Sequence, residues 1–340
     1  MRQKPATVLI LLLLLVAVLF FADICLGPVA IPFKDVWRSL TGNSASKETW
    51  SYIIVNYRLP KAIAAILAGT GLSVSGLLMQ TLFRNPLAGP YVLGVSSGSS
   101  LGVAFIIMGA GLFPFFAELA GSAISLTVAS CLGSSLVLAL VVLVSARLRD
   151  TNAILIVGLM FGSFTSAIVG LLSWFGSAEQ LQKFTFWSMG NLSNMSWDSI
   201  GILSFFAVIG LVMAAASIKS LDAFLLGENY ARSLGVNVRI SRLLILVSTS
   251  ILAGSITAFA GPIAFVGLAV PHLARLLFKT GQHRILFLGT ILCGGIILLL
   301  CDILCQLPGT ETVLPINAIT SIIGAPVIIF LLLRKRRSAV

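Results

Sequence analysis

Residues 68–86 read AGTGLSVSGLLMQTLFRNP, and residues 253–271 read AGSITAFAGPIAFVGLAVP. Each stretch opens with an Ala-Gly pair, Ala68-Gly69 in one and Ala253-Gly254 in the other. A second pair follows, Ser75-Gly76 or Ala260-Gly261, and then a proline, Pro86 or Pro271. In both copies the second glycine lies seven residues after the first, and the proline lies ten residues further on. Both sit in long apolar runs, so the match reads as a duplicated bundle of membrane helices interrupted by Gly and Pro at corresponding places. Irregular backbone at membrane depth is tolerated only beside protein or a cavity, and interrupted helices in duplicated halves point to transport across the membrane.

Composition agrees. Of 340 residues 58% are hydrophobic and only 10% charged, too few to cover a soluble domain of this size. Intervals free of Asp, Glu, Lys and Arg run 62–83, 85–117, 119–146, 151–178, 199–218, 243–274, 285–301 and 312–333. The stretch 6–22, ended by Asp23, adds a first uncleaved span, and Gly261-Pro262 with Pro271 divides 243–274 into a full and a short one. The prediction is an all-α polytopic membrane protein of ten transmembrane helices, a single domain over 1–340. Spans 2–5 (about 58–178) and 7–10 (about 239–333) form its halves. The glycine pattern runs inward in the first copy and outward in the second, so the repeat is inverted.

An even number of spans places both termini on one side. Counting from a cytoplasmic N-terminus, fifteen Lys and Arg fall inside, among them Arg84, Arg242 and Arg334 to Arg337, and six fall outside. That asymmetry predicts both termini in the cytoplasm and the chain in the plasma (inner) membrane. It also accounts for the net charge of +11 without a nucleic-acid partner, since no basic domain is clustered. Trp37, Trp50 and Tyr52 in the outer segment 28–57, and Trp174, Trp187 and Trp197 around an outer loop at 174–197, suit a lipid interface.

Between spans six and seven, Ser220 to Val238 carries Leu221, Phe224, Leu225 and Leu234 at helical spacing, with Gly227 breaking the stripe and Gly235 a natural helix stop. Two short helices at about 219–238 on the cytoplasmic surface fit this pattern.

Chemistry is sparse. No phosphate-binding G-x-x-x-x-G-K-[ST] loop is present, His272 and His283 have no acidic cluster near them in sequence, and the five cysteines contain no C-x-x-C. No catalytic residue, metal site or cofactor is predicted. Asp302 and Asp23 are the acids nearest a span interior, and a lone acid near a helix end sits at the interface more often than it relays protons.

The segments Arg58-Leu59-Pro60-Lys61, Ala68-Gly69, Ser75-Gly76, Gln80, Arg84-Asn85-Pro86-Leu87-Ala88 and Gly94-Val95-Ser96 resemble those of a known family. So do Gly227-Glu228, Ala231, Leu234-Gly235, Phe265 to Leu268, Pro271-His272, Arg275, His283-Arg284, Leu314-Pro315 and Gly324-Ala325-Pro326. The family is that of the iron-siderophore, haem and cobalamin permeases of type II ABC importers, the FecCD-like proteins. The resemblance spans nearly the whole chain in order. It implies a homodimer with its path at the dimer axis, two ABC ATPase subunits on the cytoplasmic face, and an external substrate-binding protein. By the same resemblance Leu225, Gly227, Glu228, Ala231, Leu234 and Gly235 form the ATPase-coupling element. Arg58 and Lys61 would meet acidic residues of the binding protein, with Gln306 standing where some relatives carry a third basic residue. Asn85, Leu87, Thr151 and Asn152 would form the cytoplasmic gate. The expected cargo is a ferric siderophore, with cobalamin or haem as alternatives. A secondary transporter without an ATPase, or a membrane-embedded enzyme, is the reading from a different class.

Overall fold

The computed structural model describes residues 5–43, 45–109, 123–147, 151–193, 195–306 and 313–337, and every regular element among them is helical. In chain order they are α1 (Pro5–Cys25), α2 (Phe33–Leu40), α3 (Glu48–Ile53), a π-helical turn (Ile54–Arg58), α4 (Leu59–Leu82), a 3-10 turn (Pro90–Leu93), α5 (Val95–Ile107), α6 (Ala123–Arg147), α7 (Thr151–Phe175) and α8 (Ala178–Ser188). There follow α9 (Trp197–Ala216), α10 (Ile218–Leu225), α11 (Glu228–Ser233), α12 (Val238–Ala260), α13 (Val266–Phe278), α14 (His283–Cys305) and α15 (Ile316–Arg337).

Among the described residues seven helical stretches are long and apolar enough to cross a membrane, and Val95–Ile107, Val266–Phe278 and Ile316–Phe330 are shorter apolar helices. Side-chain size sorts these helices. Ile10, Leu11, Leu13, Leu14 and Val18 of α1 are exposed, as are Ile156, Met160, Phe164 and Leu171 of α7, which is what a lipid-facing surface requires. The buried α4 instead carries Ala62, Ala64, Ala65, Ala68 and Ser73, small residues that let backbones approach.

Two compact units share the chain, and each draws on both halves of the repeat. In one (up to Val74, Asn191–Phe205, and from Ile263 onward) α1 packs along α14, and α13 packs on α14 and α15. In the other (Ser75–Gly190 and Phe206–Pro262) α5 packs on α6 and α7, and α6 on α12. Gly98 makes the α5–α6 approach possible, because a Cβ there would stand 2.5 Å from the Gly133 carbonyl oxygen.

The predicted interruption at Gly261-Pro262 is present. α12 stops at Ala260, Gly261 adopts φ 73, and α13 begins only at Val266 after Phe265 at φ 65. The broken backbone is partly satisfied by Asn317, whose Oδ1 accepts the Ala264 amide at 3.0 Å. α13 has 13 residues, and α5, its counterpart in the first half, also has 13. Each is shorter than the ~20 residues a crossing needs, so both halves carry a short helix at the same place.

The segments read as outer loops contain helices. Ser177 and Gln180 form a reciprocal capping box, Gln180 N to Ser177 Oγ at 3.3 Å and Ser177 N to Gln180 Oε1 at 2.9 Å, and start the 11-residue α8. In the 28–57 segment, Asp35 Oδ1 accepts the Ser46 hydroxyl at 2.6 Å and the Ser46 amide at 2.8 Å. These bonds favour the ionised carboxyl and hold Asp35 below the usual carboxylate range. A depressed folded value means stabilisation that is present above the unfolded value of about 4 and lost as pH falls through the folded one. The protection factor of the Ser46 amide, exchange relative to its intrinsic rate at each pH, should therefore fall in acid, and in Asp35→Asn it should already be low at neutral pH. A Ser46 amide equally protected on both sides of that window would refute the tie.

Candidate functional site

The first candidate lies in the unit holding α10, α11 and α12. α10 and α11 meet at Gly227, whose φ of 114 suits glycine alone. α11 closes in a Schellman arrangement: Val236 N donates to Ala231 O at 3.0 Å, Gly235 N donates to Arg232 O at 2.9 Å, and Gly235 takes φ 80. Asn237 then caps α12 by accepting the Ile240 amide at 3.2 Å. The two short helices expected from the sequence are thus present, and the glycines at their ends are there for backbone reasons.

Their apolar residues divide between two faces. Leu221, Phe224 and Ala231 are buried against the bundle, whereas Leu225 (50% exposed), Leu226, Tyr230 and Leu234 (57%) face outward. The single stripe expected from the sequence splits because the chain changes direction at Gly227. Glu228, expected in the coupling contact, is instead tied inward, its Oε1 2.9 Å from Arg242 Nη2. Ser220 is likewise tied to α12, receiving the Ser241 hydroxyl at 2.9 Å.

Of the gate residues, Asn85 builds its own turn: Oδ1 accepts Leu87 N at 2.9 Å, and the Asn85 carbonyl accepts Ala88 N at 3.0 Å. That turn leaves Leu87 exposed. Thr151 and Asn152 open α7, and their side chains lie outside the described residues. Arg84, seen in the sequence as a cytoplasmic charge and as part of the Arg84–Ala88 motif, carried no assigned role. Arg84 stands at φ 46, and its Nε donates to the Phe224 carbonyl at 3.1 Å.

The second candidate belongs to the other unit. Arg58 and Lys61, expected as cations reaching water, are each only 7% exposed. Arg58 Nη1 donates to the carbonyls of Ile24 at 2.7 Å and Cys25 at 3.1 Å, and Nη2 donates to that of Val29. Lys61 Nζ lies 3.0 Å from Asp302 Oδ2. Gln306 Nε2 bridges Asp302 Oδ2 at 3.1 Å and Asp23 Oδ1 at 3.3 Å. Gly27 closes the group, since a Cβ there would meet Arg58 Nη2 at 2.9 Å and Gln306 Oε1 at 3.0 Å.

The expectation of free cations is corrected for a geometric reason. Residues three apart share one helical face, and the π-helical turn that ends at Arg58 delivers that face to α1 and α14. Asp302, read as an interface acid, is 2% exposed, and Asp23 is equally buried. Two acids and two basic residues are thus gathered in one buried group. Their types and their shared nearness to span ends were visible in the sequence, and the rule that charges at membrane depth pair with one another could have joined them.

Comparison with known proteins gives one consistent result. A model of the FecCD transport family matches residues 13–334. The hemin transport system permease protein of Yersinia pestis is 34% identical over 337 residues, covering 98% of this chain and 98% of that protein. The vitamin B12 import system permease protein of Salmonella typhimurium is 34% identical over 338 residues, covering 99% and 98%. Among solved structures, an ABC transporter assigned to the metal-chelate type, in an inward-facing conformation, superposes with a TM-score of 0.84 at 27% identity, covering 97% of this chain and 99% of that one.

Proposed function

This chain belongs to the FecCD transport family, and from that premise we propose that it is the permease subunit of an ATP-driven importer for a metal chelate. The cargo is a ferric siderophore, and ATP is hydrolysed on a separate subunit. The permease acts as a homodimer, with both termini in the cytoplasm, two ABC ATPases seated on α10 and α11, and a binding protein on the opposite face. The observation that carries this reading is the exposed apolar set Leu225, Leu226, Tyr230 and Leu234 on two short helices that are themselves tied to the bundle. Exposed apolar surface clustered on a fixed element marks a protein contact, and a fixed element passes on rigid-body motion. Leu87 on its turn, with Thr151 and Asn152, forms the neck below the path. Arg58 and Lys61 serve docking indirectly: Arg58 holds the backbone that displays Leu26 and Val29.

Placing Asp at Leu234 would bury an unpaired charge in the ATPase contact and cost about 2–5 kcal/mol. Leu234→Asp should insert and fold as the parent does, yet fail to retain an ABC ATPase on co-purification and fail to take up chelate in proteoliposomes. Parental uptake by that variant would remove α11 from the interface.

Relatives named for hemin and vitamin B12 are equally similar to this chain, so haem and cobalamin stand as the second reading within the same chemical class. Uptake competition among a ferric siderophore, haem and cobalamin in the complete complex separates them. The buried acids do not favour a secondary transporter: Asp302 is paired with Lys61, and Asp23 accepts a hydrogen bond from Gln306.

A further inference from the structure

We propose that Arg84 is the positioning residue that makes the coupling helices and the gate turn move as one piece. The inference rests on the importer reading above and names the side chain through which the motion passes.

α4 ends at Leu82, and two residues later Arg84 adopts φ 46, a left-handed conformation that costs a residue with a side chain on the order of 1–3 kcal/mol and persists only where surrounding contacts dictate it. The contacts are present. The Arg84 amide donates to Thr81 O at 3.2 Å, and its guanidinium crosses to the coupling pair, where Nε donates to Phe224 O at 3.1 Å. Phe224 lies in the last turn of α10, where its carbonyl also accepts the Gly227 amide at 3.1 Å and a cation is electrostatically favoured. The same guanidinium fills the space beside Gly227: a Cβ on Gly227 would stand 3.0 Å from Arg84 Nη2. Gly227 is required by its φ of 114, and the Arg84 head group lies against the face a side chain there would occupy.

The residue after Arg84 begins the rigid turn that displays Leu87, closed by Asn85 Oδ1 to Leu87 N at 2.9 Å and Asn85 O to Ala88 N at 3.0 Å. One peptide thus separates the guanidinium's own backbone from the gate turn. On the other side, α10 and α11 are held to α12 by Ser241 to Ser220 and by Arg242 to Glu228. These ties bind the pair to one span only. Arg84 adds the link to the end of α4, and all these groups lie within one compact unit. Without it, a push on the exposed face of α10–α11 would be absorbed at Gly227 and in the turn.

The test uses the complete importer in proteoliposomes, with Arg84→Ala and Arg84→Lys beside the parent. The measured quantity is chelate taken up per ATP hydrolysed. Each variant should still bind the ATPase, because none alters the exposed apolar set. Uptake per ATP should fall roughly 5- to 150-fold, the range of ordinary coupling between sites. Arg84→Lys retains the charge but not the Nε donor, and should be nearly as deficient as Arg84→Ala. A second readout needs no transport. Spin labels on cysteines placed at Leu87 and Lys219, in a background lacking native cysteines, should keep one separation through the nucleotide cycle in the parent and show a nucleotide-dependent separation in Arg84→Lys. Unchanged uptake per ATP, or a constant label separation in Arg84→Lys, would overturn the proposal. A parent complex with no ATP-driven uptake would instead overturn the importer reading, and the label distances would still decide whether Arg84 joins the two elements.

Discussion

Lys61→Met should destabilise the folded chain by about 3–5 kcal/mol, and combining it with Asp302→Leu should restore most of the loss. The argument is one of compensation. Lys61 and Asp302 lie 3.0 Å apart, with side chains 8% and 3% exposed, so removing one partner leaves the other charge where water cannot solvate it. Replacing both with apolar side chains of similar volume removes the penalty with the pair, and such exchanges are often neutral. Asp302→Leu also frees Gln306, which still has Asp23 to bind. The check is a double-mutant cycle on thermal unfolding of the purified chain, repeated at low and high salt. A pair this buried is screened little, so the loss in Lys61→Met should be nearly the same at both ionic strengths. Additive effects of the two substitutions would show that the pair is not a unit. A stable Lys61→Met chain whose binding-protein association became slower and less salt-dependent would restore Lys61 as a docking cation.

That contrast shows where sequence reading ran out. The apolar runs, the Gly261-Pro262 interruption and the paired short helices around Gly227 follow from rules acting over a few residues, and the structure bears each out. The opening at Ser177 obeyed the same kind of rule, because its S-x-x-Q signature caps α8; it was passed over within a stretch read as loop. The charge cluster could not be read locally. Asp23 and Gln306 are separated by 283 positions along the chain, and Arg58 finds its carbonyl partners at Ile24, Cys25 and Val29, 29 to 34 positions away. Glu228 and Arg84 failed for a related reason. Their family resemblance marks them as belonging to a functional segment, but only geometry shows that Glu228 points back to Arg242 and that Arg84 reaches Phe224. Positions set by the backbone, such as Gly227 and Gly235, were legible; side chains with a choice of partners were not.

The two glycines that opened the sequence reading should behave very differently when each is replaced by alanine. Gly69 and Gly254 are matched by the repeat, and both lie where their helices cross a neighbour, Gly69 against Gly294 of α14 and Gly254 against Ser134 of α6. The distances separate them. A Cβ on Gly69 would stand 2.2 Å from the Gly294 carbonyl oxygen, and one on Gly294 would stand 2.3 Å from that of Gly69. Backbone meets backbone there, so α4 and α14 would have to part by about 1 Å or more to reach ordinary contact. A Cβ on Gly254 would meet only the Ser134 hydroxyl at 3.3 Å and a Val95 methyl at 3.5 Å. Small side-chain adjustments absorb that, and the helical preference for Ala over Gly, about 1 kcal/mol, offsets the remainder. Gly254→Ala is therefore expected to be near neutral and Gly69→Ala to cost about 1–3 kcal/mol or more as overpacking. The larger loss has a further consequence, because the crossing that Gly69 permits also brings Thr70 Oγ1 within 3.3 Å of the Ile291 carbonyl and Lys61 within 3.0 Å of Asp302. Separating the helices opens both contacts. Gly69→Ala should accordingly lower the coupling measured between Lys61 and Asp302 in the double-mutant cycle, whereas Gly254→Ala should leave it at the parental value. Equal unfolding temperatures for the two alanine variants would show that α4 and α14 are not in backbone contact.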